Sequence, residues 1–75
     1  MSVASLDQLR TNIAIVNALD LSDSSAQRLK SLGVFEGQRI EVARRGNPLI
    51  VKAAGSRIAI ASELAKNILV QEIVE

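Results

Sequence analysis

Turn residues cut this chain into short pieces. "NIAIVNAL", "RIEVARR", "LIVKAA", "RIAIA" and "ILVQEIVE" are each rich in Val, Ile, Leu and Ala, and the first three run directly into Asp20, Gly46 and Gly55. Such pieces suit strands of ordinary length and are too short for independent helices. A flat sheet of short strands would leave long sticky edges, so the pattern favours a curled sheet. Phe35 is the single aromatic among 75 residues, which requires an aliphatic core. With 48% apolar residues and a net charge of +1, the chain is neither disordered nor self-repelling. Its length suits a single domain over residues 1–75.

Between the first two strand segments the period changes. In "DLSDSSAQRLKSLG", Ala26, Leu29 and Leu32 recur every three residues among polar neighbours, which predicts an amphipathic helix. Ser22, Asp23 and Ser24 are its candidate N-caps, and Gly33 fits the left-handed position just past its end. Near the N-terminus, "SLDQL" predicts a helical turn capped by Ser5, with Leu6 and Leu9 on one side. On the first strand, Ile13, Ile15 and Asn17 are expected on one face and Ala14, Val16 and Ala18 on the other. Glu36-Gly37, "RGNP" and Gly55-Ser56 mark turns. "SELAKN" predicts one helical turn with Ser62 as its cap.

The expected architecture is therefore mainly β: a small five-stranded SH3-like barrel. A helix is inserted after the first strand, a helical turn precedes the last, and pairing of first and last strands closes the drum.

Several chemistries lack their residues. Without Cys there is no thiolate or disulfide, and without His the commonest imidazole ligand and general base are missing. Asp20 and Asp23 are close in sequence but suit a helix start better than a metal site. The glycines lie in separate turns and form no phosphate loop. The expectation is no catalytic residue, no cofactor and no metal. No signal peptide or membrane span is expected, since a span needs about 18 apolar residues, and a cytoplasmic location follows as the prior.

The remaining signals concern recognition. If Leu49 and Val51 point inward, Ile50 points out; if Ile68 and Val70 point inward, Leu69 points out. Phe35 either covers an end of the barrel or joins a partner patch. Together with Arg44, Arg45 and Arg57 these form the candidate partner interface. Pro48 marks a candidate edge for an added strand. Arg39, Arg44, Arg45, Lys52 and Arg57 also raise a small nucleic-acid-binding barrel as an alternative. Glu36 and Glu41, the low net charge and the missing aromatic platforms oppose it.

The segment "RLKSLGVFEGQRIEVARRGNPLIVKAAGSRIAIASELAKNILV" resembles the FeoA family of ferrous iron transport proteins. The resemblance rests on Arg28, Leu29, Leu32, Gly33, Gly37, Gly46, Pro48, Leu49, Gly55, Ile58, Ala59, Ala65, Ile68 and Val70. Glu36 stands where the family has Pro, Asn47 where it has an acid, and Thr11-Asn12 where it has a Gly before the first strand. Ala61-Ser62 replaces basic residues. The resemblance implies an SH3-like barrel without catalysis, an accessory to the membrane transporter FeoB on its cytoplasmic side. Contact with the membrane would then be only indirect, no nucleic acid is expected, and a homo-oligomer is the further partner expectation. The same module resembles the C-terminal domain of iron-dependent DtxR-type repressors, which leaves a metal-regulator-type module as a further alternative.

Overall fold

The computed structural model describes residues 3–73. Its strands are β1 (Val3–Ser5), β2 (Ile13–Leu19), β3 (Arg39–Arg44), β4 (Leu49–Ala53), β5 (Ser56–Ile60) and β6 (Ile68–Glu72). Helix α1 (Asp23–Leu32) follows β2, and the one-turn helix α2 (Ser62–Ala65) precedes β6. All pairings are antiparallel, in the order β1-β6-β2-β3-β4-β5. This is the SH3-like, mainly β arrangement expected, with one strand more. That extra strand, β1, has only three residues, below the length at which alternation is legible.

The expected pairing of first and last long strands is present: β2 lies against β6. It does not close the ladder, because β1 and β5 remain as edges. Pro48 marks no edge either. β4 begins one residue later and runs between β3 and β5. The missing Pro N–H therefore falls in the turn, outside the ladder.

Alternation builds the core. Ile40 and Val42 from β3, Leu49 and Val51 from β4, Ile58 and Ile60 from β5, and Ile68 and Val70 from β6 all point inward and are buried. Leu6 and Leu9 close one side, as their spacing predicts. Ser5 does not cap the 3-10 turn between them; its hydroxyl donates instead to the Asp7 carboxylate at 2.6 Å. On β2, Ala14 and Val16 are buried while Ile13 and Ile15 are half-buried. The expected face of Ala18 is wrong. A bulge at Asn17 shifts the register, so Ala18 stands opposite Leu69 and Leu19 opposite Ile68. One extra residue inverts every side chain beyond it.

Helix α1 starts at Ser22, whose hydroxyl accepts from the Ser25 N–H at 3.4 Å. It ends at Gly33, with φ +106°. The Gly33 N–H donates to Lys30 O and the Val34 N–H to Leu29 O, which satisfies carbonyls the last turn would otherwise leave open. Leu29 and Val34 both belong to the core. The expected apolar stripe is only partly used: Leu29 is buried, whereas Leu32 is 44% exposed. In α2, Ser62 is not the cap. The cap position is Ala61, and the Ser62 N–H donates to Asn47 Oδ1 at 3.1 Å.

Candidate functional site

The candidate surface is the outer face of β3, β4 and β5. Its key feature is a second bulge. Val42 faces Val51, yet Arg44 faces Ile50, so Ala43 is an extra residue. Regular pairing would set Arg44 opposite Leu49 and force a guanidinium into an aliphatic core, at a cost of several kcal/mol. The bulge turns Arg44 outward beside Ile50 instead. Ile50 in turn faces Ala59, and Lys52 faces both Glu41 and Arg57. Residues directly opposite share a face. Arg44, Lys52 and Arg57 are therefore exposed cations around the half-buried Ile50. A cleft of about 210 Å³ at one end is lined by Arg44, Arg45, Gly46, Asn47, Pro48 and Ile50.

Arg45 has a different situation. Its Nη1 donates to Leu9 O at 2.6 Å, and its Nη2 donates to Thr11 O at 3.0 Å and Asn12 Oδ1 at 3.2 Å. It ties the β3–β4 turn to the segment before β2. Phe35 lies in the turn after α1, 40% exposed, while its neighbour Val34 fills the core. Leu69 lies on β6, half-buried, opposite Ser5 and Ala18. Strands β2 and β3 separate it from β4. Arg44, Ile50 and Arg57 thus form one continuous face, and Leu69 belongs to another part of the sheet.

Sequence reasoning missed a second concavity. Between α1 and β5 runs a cleft of about 260 Å³ lined by Ser25, Arg28, Leu29, Leu32, Ile58, Ala59, Ile60, Ala61 and Leu64. The signal was present in Leu32, whose helical spacing marks it as apolar without saying what covers it. Only the position of α1 beside an edge strand makes a groove of it.

No polar or charged side chain is buried among the described residues. Nor do any three His, Cys, Asp or Glu side chains among them gather as a ligand set. No helix among them is long and apolar enough to cross a membrane. What the surface offers is cations, aliphatic patches and a free strand edge, which are means of recognition.

Comparison with known proteins is consistent with this geometry. The FeoA domain pattern matches residues 5–72. A protein of Methanocaldococcus jannaschii, provisionally named an Fe(2+) transport protein A, is 39% identical over 59 residues, covering 77% of this chain and 72% of that protein. Among solved structures, the crystal structure of an iron uptake regulatory protein, FeoA, superimposes with a TM-score of 0.85 at 26% identity, covering 97% of this chain and 100% of its own. The zinc complex of Stenotrophomonas maltophilia FeoA, described as a procaryotic SH3 domain protein, superimposes at 0.67 with 28% identity, covering 88% and 87%.

Proposed function

The chain belongs to the FeoA domain family, and from that premise we propose that it is an accessory protein of ferrous iron uptake that docks on the cytoplasmic part of the FeoB transporter and modulates it. Family membership ties the chain to ferrous iron transport. The observation that carries the docking step is the bulge at Ala43, which sets Arg44 beside Ile50 on an exposed face. A half-buried aliphatic residue with Arg44 opposite it and Lys52 and Arg57 beside it, against the one acid Glu41 on that face, has the anatomy of a recognition patch: an apolar contact with a mainly basic rim that favours an acidic partner surface. Arg44, Ile50 and Arg57 provide the patch. Phe35 and Leu69 extend contact only if the partner wraps around the sheet.

The test is titration of the transporter's soluble cytoplasmic domain with the purified chain, in each nucleotide state. Micromolar binding is expected, weakened about tenfold or more by the pair Arg44→Glu and Ile50→Asp, because they reverse a charge toward an acidic partner and place an unpaired carboxylate at the centre of the contact. Failure of the wild-type chain to bind in every nucleotide state would overturn the reading.

A further inference from the structure

The cleft between α1 and β5 is more than an apolar gap. Ile58, Ala59, Ile60 and Ala61 line it consecutively. Successive residues of a strand face opposite sides of a sheet. A groove that touches all of them must run along the edge of the strand, where the backbone itself is exposed. β5 is that edge, since among the described residues it pairs with β4 alone. The β4–β5 hairpin closes through Ala53 and Ser56 around the two residues Ala54 and Gly55. The closing pair of such a hairpin is hydrogen-bonded, and bonded pairs alternate along the ladder. Ser56, Ile58 and Ile60 therefore direct their backbone groups to β4. Arg57 and Ala59 direct theirs outward.

We propose that this edge accepts an extended segment of another protein as an added strand, with aliphatic side chains of the segment seated against Leu29 and Leu32 and its carboxylates beside Arg28 and Arg57. The backbone of Arg57 and Ala59 supplies the bonds; the α1 face supplies the pocket for alternate side chains. Charge selects the occupant. Among the described residues the lining contains one cation, Arg28, and no acid. Among the described residues the side chains of Arg28 and Arg57 have no hydrogen-bond or ion-pair partner. A second copy of this chain fits poorly, because two β5 edges laid together would oppose their own Arg28 and Arg57 side chains. The inference goes beyond the docking face proposed above: it concerns the β5 edge and the α1 groove, which share only Arg57 with that face, and it stands whichever protein supplies the segment.

The test uses a library of random eight-residue peptides selected on the wild-type protein. Enriched peptides should alternate aliphatic with acidic residues and shift the backbone amide resonances of Arg57 and Ala59. Ala59→Pro should weaken them at least tenfold. Pro there removes only the outward N–H and leaves the ladder to β4 intact. Leu32→Asp, on an exposed helical position, should do the same if Ala59→Pro proves unfolded. Arg28→Glu should weaken acidic peptides and reduce the salt dependence of their binding. Enrichment of nothing, or peptides that bind both Ala59→Pro and Leu32→Asp as tightly as wild type, would overturn the proposal. A chain that is dimeric at micromolar concentration and made monomeric by Ala59→Pro would assign the edge to a second copy instead.

Discussion

The two helices solve the same problem in opposite ways. Each must satisfy backbone N–H groups at its start. Helix α1 does so from within its own sequence: Ser22 caps the N-terminus, and Gly33 with Val34 closes the far end. Helix α2 has no cap of its own. Asn47, from a turn 15 residues earlier, reaches across to accept the Ser62 N–H. The first helix can be recognised locally, whereas the second depends on the β3–β4 turn being in place. Local capping makes an element legible; borrowed capping makes it conditional on the rest of the fold.

Four substitutions probe that contrast. Gly33→Val should have the largest effect. At φ +106° a β-branched residue is strained, and a Cβ built on Gly33 would lie 2.8 Å from the Ala54 Cβ. Denaturant unfolding should show a loss of about 2 kcal/mol or more. A wild-type midpoint would show that α1 does not end as described. Asn47→Ala should come next, at about 1 kcal/mol, with Asn47→Asp retaining most of the stability because the acceptor is kept. Amide exchange at Ser62 should accelerate in the alanine variant alone. Ser22→Ala should cost less, about 0.5 kcal/mol, since its bond is long at 3.4 Å and exposed. If Ser22→Ala proves the more damaging of the two, the contrast between local and borrowed caps fails. The smallest effect should be Ala54→Gly, a gain of about 0.3 kcal/mol. Ala54 sits at φ +50°. Relief of that strain should slightly exceed the greater freedom a glycine adds to the unfolded chain. A lower thermal midpoint would show that the Ala54 methyl against Gly33 matters more than its backbone strain.

Arg44 and Arg45 show where reading a sequence stops. They are adjacent and chemically identical, and alternation assigns them opposite faces of one strand. The bulge at Ala43 breaks that alternation. Arg44 comes to lie free beside Ile50, and Arg45 is held by the Leu9 and Thr11 carbonyls and Asn12 Oδ1. Nothing within three residues of either arginine announces the difference. Its cause is the distant loop that offers carbonyls and the core that refuses a charge. The same holds for Ala18, whose face changes at Asn17 because the pairing with β6 demands it.

Periodicity was enough to place the strands from Ile13 onward, the inward rows of β3 to β6, the span of α1 and its Gly33 stop. Each follows from interactions among residues a few positions apart: side-chain alternation, a hydroxyl on a nearby N–H, a backbone angle that a Cβ resists. The tertiary structure alone decided the two bulges, the cap that Asn47 lends to Ser62, and which strands became edges. Those depend on partners far away in the chain. An extended backbone has equal hydrogen-bonding capacity on both sides, and only packing against its neighbours decides which side is left open.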